Sequence, residues 1–394
     1  MPETLTMPRL TGPGGRRLRV AHLTTIDTSL VVLLGTELKA HVETGLEVYG
    51  LSAPGPWVQQ VEQLGVTHVS LPALTRSWDP RRDLAAGHEL LRALRRLDLD
   101  VLHTHNPKTG VLGRLLGRAA GIRVVVNTCH GLWLRSNDGL ARKAFVLGAE
   151  SLAACMSDAE LYQNAQDRHT LRRVVREPRS QVVGNGIDLS RFRPDPVERA
   201  RVRRELGVAD GELLVGGVGR RVAEKGIAEY AVAARTLAGK ARFVWVGPED
   251  PDKPDALRQD EAGVTFLEER TDMPAVYSAL DVFVLPSYRE GFSRSGMEAA
   301  ACGVPSVLSD IRGCREIGTD ERELLLVPAG DTSALTSAIE RLLLDASLRA
   351  RLGRAARERA ALHFDQREVA RISLETYASV ARRKGLDWRI EGVR

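Results

Sequence analysis

The chain has 394 residues, 43% of them hydrophobic and 27% charged, with a formal net charge of +5. That length suits two domains rather than one, and the composition excludes collagen-like, low-complexity and disordered architectures. The longest apolar runs, such as Leu30 to Leu34, fall far short of the roughly 20 residues that span a bilayer. Only seven of the 56 basic residues are lysine, and a basic total alone does not imply nucleic acid, so none is expected as a partner. Four cysteines, at 129, 155, 302 and 314, fit neither a metal knuckle nor a dense disulfide framework; free thiols in a reducing cytoplasm are expected.

Residues 1–17 lack the basic start and apolar run of a secretory signal and are expected to be a flexible leader. From Leu18 short β-branched runs alternate with longer helical stretches. Strands are predicted at Leu18–Leu23, Leu46–Leu51, Val66–Leu71, Val101–His103 and Ile122–Asn127. Helices are predicted at Leu30–Val42, Arg81–Leu97 and Lys108–Ala120. Such alternation implies a parallel sheet covered on both faces. In the helix near 81–97, Arg92, Arg95 and Arg96 accompany Leu84, Leu91 and Leu94. That pairing fits peripheral contact with an anionic membrane, or equally an amphipathic helix packing its leucines on the sheet.

Near residue 185 the pattern breaks at Gly184-Asn-Gly-Ile-Asp188, followed by Arg193-Pro-Asp-Pro196, which can continue neither helix nor central strand. A second series then begins, with strands at Leu213–Val218, Phe243–Val246, Val264–Leu267, Val282–Leu285, Ser306–Leu308 and Leu324–Val327. Helices fall at Lys225–Leu237 and Ser295–Ala301, and the last sixty residues or so read as helices only. The expected organisation is a leader (1–17), an N-terminal Rossmann-like domain (18–185), a C-terminal Rossmann-like domain (186–365), and a helical segment (366–394) returning to the first domain. Both domains would be α/β and doubly wound, binding ligands at the carboxyl ends of their strands across a central cleft.

The strongest chemical signal is Glu290-Gly-Phe-Ser-Arg-Ser-Gly-Met-Glu298, following the apolar strand Asp281–Pro286. Glu290 then lies in a strand-to-helix loop at the carboxyl edge of the sheet, and Glu298 about one turn inside the next helix. Amides around Ser293 to Ser295, with the helix N-terminus, suit an anionic diphosphate. Glu298 can accept both hydroxyls of a ribose, and Glu290 can reach toward a sugar ring. A lone glutamate near a helix N-terminus is usually there for the dipole, but that does not account for the glycines and the second acid.

This segment resembles the signature of the retaining nucleotide-sugar glycosyltransferases of family 4. The resemblance continues in His103-Thr-His105-Asn-Pro-Lys108, Thr128-Cys-His130-Gly-Leu, Tyr162-Gln-Asn, Asn185-Gly-Ile-Asp188 and Gly313-Cys-Arg-Glu316, in the family's order. It is nearest to the branch acting on undecaprenyl-diphosphate-linked glycans and capsular or exopolysaccharide repeat units. It implies the GT-B fold and a donor site of Arg220, Lys225, Arg270, Glu290, Gly291, Phe292, Ser293, Arg294, Ser295 and Glu298. Arg220 and Lys225 would clamp the diphosphate, and Arg270 lies where the family cradles the nucleobase. His130 would act near the sugar, in a catalytic set with Glu290, Arg220 and Lys225. His105, Lys108 and Trp133 fall on the acceptor side.

The implied reaction is transfer, with retention, from a nucleoside-diphosphate sugar (UDP first) to a hydroxyl acceptor, polyprenyl-diphosphate-linked. No metal or cofactor is required, and the enzyme would be cytoplasmic, peripheral on the inner face of the membrane. The family's frequent glycine pair after the first strand is replaced by Asp27-Thr-Ser-Leu-Val-Val, leaving the donor less held from the first domain. A soluble natural-product acceptor, a nucleotide-sugar 2-epimerase and a non-catalytic sugar-nucleotide binder are the alternatives. Asp98-Leu-Asp100 has the form of a metal-binding pair but stands before a strand, at the wrong edge of the sheet.

Overall fold

The computed structural model describes residues 6–392, apart from 78, 135–137, 252–254 and 258–261. The chain folds as two units, one comprising Met1–Gly184 with Gln366–Arg394 and the other Asn185–Asp365.

In the first unit the elements run β1 (Arg9–Thr11), β2 (Arg19–Ile26), α1 (Asp27–Val32), α2 (Gly35–Glu43), β3 (Glu47–Ala53), α3 (Val58–Gln63), β4 (Thr67–Ser70), α4 (Pro80–Leu97), β5 (Val101–His105), α5 (Pro107–Ala119), β6 (Val124–Cys129), α6 (Leu140–Ala154), β7 (Ala159–Tyr162), α7 (Ala165–Leu171) and β8 (Ser180–Val182). The second unit holds α8 (Pro196–Glu205), β9 (Leu214–Val218), α9 (Ile227–Thr236), β10 (Arg242–Val246), β11 (Thr265–Leu267), α10 (Met273–Ala279), β12 (Val282–Leu285), α11 (Arg294–Ala301), β13 (Ser306–Ser309), α12 (Arg312–Arg315), β14 (Leu325–Val327), α13 (Thr332–Leu344) and α14 (Ala346–His363). Helix α15 (Gln366–Arg383) and strand β15 (Arg389–Glu391) return to the first unit.

Each unit is built on one parallel sheet, of order β4-β3-β2-β5-β6-β7-β8 in the first and β11-β10-β9-β12-β13-β14 in the second. Parallel strands need helical crossovers, and the helices bury both faces. Alternation along the strands divides the first unit's core. Val20, Val101, Val124 and Val126 pack with Leu374, Tyr377 and Ala378 of α15, whereas Ala21, Leu23, Leu102 and Val125 pack with Leu90 and Leu94 of α4. His22 and His103 stand opposite each other in register and share the α15 face with Val20 and Val101.

Three expectations are corrected here. The described part of the leader, residues 6–17, is anchored rather than flexible: β1 pairs antiparallel with β15, and Arg16 donates to both carboxylate oxygens of Asp100, at 2.7 and 2.5 Å. That ribbon also means the tail is not helical only, since residues far apart in sequence supply each other's hydrogen bonds. The helix expected over Leu30–Val42 is two, α1 and α2, broken at Leu33 and Leu34. In α4, Leu90 and Leu94 are buried while Leu84 is 78% exposed, so this helix spends most of its leucines on the sheet.

Candidate functional site

The second unit gathers the motif residues at the carboxyl ends of β9 and β12. The loop after β9 carries Arg220 and Lys225 and turns at Gly226, whose φ of +71° and position leave no room for a side chain. A Cβ there would lie 2.1 Å from the carbonyl oxygen of Pro286. The loop after β12 carries Glu290 and is backed as closely by Gly313, where a Cβ would fall 2.5 Å from the Glu290 carbonyl oxygen. These two contacts bring Lys225 Nζ to 2.6 Å from Glu290 Oε1, with both side chains partly accessible. Cys314 lies beside the pair, buried, its thiol pushed well up by burial and then by the Glu290 charge.

Helix α11 is capped by Ser293, whose hydroxyl accepts from the Gly296 amide at 3.1 Å. One turn inside it, Glu298 is buried. Its Oε2 accepts from the Tyr277 hydroxyl at 2.9 Å and its Oε1 from Arg294 Nε at 3.0 Å. Burial raises its pKa and the Arg294 charge opposes that rise. A carboxylate has about four acceptor positions, so two remain for a diol. Gly291 and Ser295 are half-buried in the same loop and first turn, and Phe292 packs edge-on against Phe364, centroids 5.9 Å apart.

Two expected donor contacts are otherwise engaged. Arg220 pairs with Asp250. Arg270 lies at 2.8 Å from Asp272 and also pairs with Glu205, within an ion network that includes Arg201. The neighbouring Arg221 is the buried arginine of the β9 loop, donating to the Gly247 carbonyl at 3.1 Å and to Glu268 at 2.7 Å.

In the first unit His130 follows β6, half-buried, with Nε2 2.9 Å from His105 Nδ1. Strand β5 extends to His105, so His103 and His105 share one sheet face, which the shorter expected strand left open. Both are fully buried. Lys108 is 4% exposed, and its ammonium holds the Thr75 and Ser77 carbonyls at 3.0 and 2.7 Å as well as Asp83. It pins the loop before α4 and is not presented to an acceptor. Trp133 is half-buried under the Arg142 guanidinium, 5.2 Å from the ring centre.

Sequence reasoning missed Tyr277, Asp250 and two members, His22 and His41, of a cluster that also holds His103, His105 and His130. His22 Nε2 lies 3.1 Å from His41 Nδ1, and His22 Nδ1 lies 3.1 Å from His105 Nε2. His103 contacts the Tyr377 hydroxyl at 2.6 Å and Thr128 Oγ1 at 2.7 Å. Burial lowers the pKa of all five rings, to about 4 for His41 and His130, and pushes nearby Glu37 up to about 7. Donor atoms of His22, His103 and His105, and of His22, Glu37 and His41, converge within 4.8 Å, as metal ligands would. Both nitrogens of His22 and of His103 are, however, already satisfied by other side chains. For His22 the sequence signal was its place in a buried strand, which rarely carries an unpaired imidazole.

Two family models match the chain: "Glycosyl transferase 4-like domain" over residues 27–186 and "Glycosyl transferases group 1" over residues 212–345. A UDP-Gal:alpha-D-GlcNAc-diphosphoundecaprenol alpha-1,3-galactosyltransferase of Escherichia coli is 28% identical, covering 69% of this chain and 73% of its own. A D-inositol 3-phosphate glycosyltransferase of Salinispora tropica is 31% identical over 82% of this chain and 74% of its own. In fold, the chain resembles Anabaena HepE, solved in complex with UDP, with a TM-score of 0.77 at 19% identity over 92% of this chain and all of that one.

Proposed function

Starting from the fact that this chain belongs to the group 1 glycosyltransferases, and is therefore a sugar-transferring enzyme of GT-B fold, we propose that its donor is a nucleoside-diphosphate sugar, UDP first. The acceptor is a hydroxyl on a polyprenyl-diphosphate-linked glycan, and transfer retains the anomeric configuration without a metal. The observation that carries this reading is the joining of Lys225 to Glu290 at the carboxyl edge of the second sheet, with the buried Glu298 one turn inside the helix that follows. The Escherichia coli relative, named for a UDP-sugar and a diphosphoundecaprenol acceptor, supports the choice of both substrates.

The residues divide the work by charge. Glu298 takes the ribose hydroxyls on its free lone pairs. Lys225 and Arg220 exchange their carboxylate partners for the diphosphate, aided by the amides at the start of α11, where negative charge is favoured. Glu290, released from Lys225, accepts hydroxyls of the donor sugar. As the C1–O bond to the β-phosphate breaks, the acceptor oxygen bonds to C1 from the same face and its proton passes to the departing phosphate oxygen. UDP and the α-linked glycan are the products. The side chains place charge where it develops, which is the largest single term in such catalysis. His130 serves the sugar from the first unit.

A lipid-linked acceptor requires work at the inner face of the membrane. The surface proposed for it is α6 rather than α4: Leu140, Phe145 and Leu152 are 86%, 66% and 58% exposed, beside Arg142 and Lys143. No helix among the described residues is long and apolar enough to cross a membrane.

The test is proton NMR of the product made from an α-linked UDP-hexose and a polyprenyl-diphosphate-linked sugar. An α linkage, with turnover surviving EDTA, is expected. A β linkage, or loss of turnover with EDTA and recovery with magnesium or manganese, would overturn the mechanism.

A further inference from the structure

His41, His22, His105 and His130 form one line of imidazoles joined nitrogen to nitrogen at 3.1, 3.1 and 2.9 Å. The first three rings are fully buried. A neutral imidazole carries one N–H and one lone pair. At each junction one ring must donate and the other accept, so an unbroken neutral line has only two states, with every proton pointing toward His41 or every proton pointing toward His130. Burial keeps the four rings neutral near pH 7, His41 and His130 titrating only at about 4.

The two states differ at the inner end. Nδ1 of His41 is used by His22. Its Nε2 has no hydrogen-bond partner, so the tautomer of His41 is tied to the line through Nδ1 alone. In the state with the His41 proton on Nε2, its Nδ1 is a lone pair. Nε2–H of His22 then donates to His41, Nε2–H of His105 to His22, and Nε2–H of His130 to His105. The fifth ring, His103, does not interrupt the line, since its two nitrogens are taken by Tyr377 and Thr128. The Glu37 carboxylate reaches His103 Nδ1 only at 3.8 Å.

We propose that the protein adopts that state and that the line thereby locks the tautomer of His130, so that the first unit offers an unprotonated Nδ1 as the acceptor for a substrate hydroxyl, with His22 and His105 as positioning residues. The proposal rests on the reading that His130 meets the donor sugar or acceptor. It adds which atom does so and what holds it ready. None of the positioning rings touches substrate.

Long-range proton–nitrogen NMR of the full chain labelled with ¹⁵N-histidine distinguishes the two tautomers directly, and the His130→Gln spectrum identifies the His130 signals. Near neutral pH, His130 is expected protonated at Nε2 alone. His22→Phe, which cuts the line, should give mixed tautomers at His130 and lower kcat roughly tenfold or more, the cost of a misdirected imidazole lone pair, with the donor KM little changed. His22→Gln keeps a donor and an acceptor and should recover part of that loss. Protonation of His130 at Nδ1 in the unaltered chain, a measurement that needs no variant to fold, would overturn the proposal. So would a His130 tautomer unchanged by His22→Phe, or one equivalent of zinc retained through gel filtration. If His130→Gln left turnover unaltered while the tautomer result held, the role of His130 in the reaction would fall and the line would stand.

Discussion

The two sheets end in opposite kinds of polar chemistry. At the carboxyl edge of the second unit the groups are ionised and held by opposite charges: Lys225 by Glu290, Arg220 by Asp250, Glu298 by Arg294. In the first unit the polar groups are neutral imidazoles, four of them fully buried, on β2, α2 and β5, leading to His130 after β6. A charge kept partly solvated beside a counter-charge can change partners when a diphosphate arrives, at little net cost. A buried imidazole has its ionisation suppressed, and what it retains is direction. The same architecture thus supplies exchangeable charge in one unit and oriented hydrogen bonds in the other.

The largest effect expected from this contrast is in turnover. Lys225→Ala removes a cation from the developing phosphate charge and should lower kcat by about 10²–10³, with the melting temperature near that of the unaltered chain. Steady-state kinetics at saturating donor, showing less than a tenfold fall, would move the clamp elsewhere.

Acid stability is the next effect, and it belongs to the imidazole side. His22, His103, His105 and His41 have folded pKa values below the unfolded value of about 6.5. The unfolded chain therefore binds more protons in that window, so stability is full above about pH 6.5 and falls as pH drops toward 4. Glu37, raised to about 7, works oppositely, its contribution fading as pH rises from about 4.5 through 7. Four groups outweigh one. Urea unfolding followed from about pH 7 to about pH 5 should lose several kcal/mol, on the order of 1.4 kcal/mol per histidine per pH unit at most. A flat profile would mean that the rings are solvated.

Tyr277→Phe should come third. It takes a hydrogen bond from the buried Glu298 carboxylate, a loss of about 1.5–3 kcal/mol, and calorimetry should show UDP binding weakened by roughly tenfold or more. Unchanged affinity would remove Glu298 from the ribose.

How much of this was legible in sequence follows from distance along the chain. Glu290, Ser293 and Glu298 lie within one loop and one helical turn, so their spacing could be read. The alternation of strand and helix gave the two sheets. The imidazole line draws on β2, α2, β5 and the loop after β6, and its companion His103 meets Tyr377 across 274 positions. No local pattern records such contacts. Tyr277 reaches Glu298 from α10, a separate helix, with nothing but an apolar surround to mark it. Lys108 reads as available because a lysine after a strand usually is, whereas three carbonyl and carboxylate groups bury it. The paired ends β1 and β15 are three residues each, too short for alternation to show.

The smallest effect tests how far the charged side extends. Arg270 lies where the resemblance puts the nucleobase, yet its guanidinium already serves Asp272 and Glu205. To reach a base it would have to leave both, and nucleobases offer it no full negative charge in return. Partly exposed ion pairs of this kind contribute about 0–1 kcal/mol. Arg270→Ala should therefore change UDP affinity by no more than about fivefold and leave the preference among UDP, GDP and ADP as it was. Calorimetry with each nucleotide and with pyrophosphate separates the possibilities. A loss beyond tenfold for UDP, with pyrophosphate unaffected, would show that Arg270 gives up its carboxylates for the base and that the donor site continues past the ion network. A loss shared by pyrophosphate would instead extend the phosphate clamp to this loop. Near-constant affinity throughout would confine the exchangeable charges to the loops after β9 and β12, where Lys225, Arg220 and Glu290 stand.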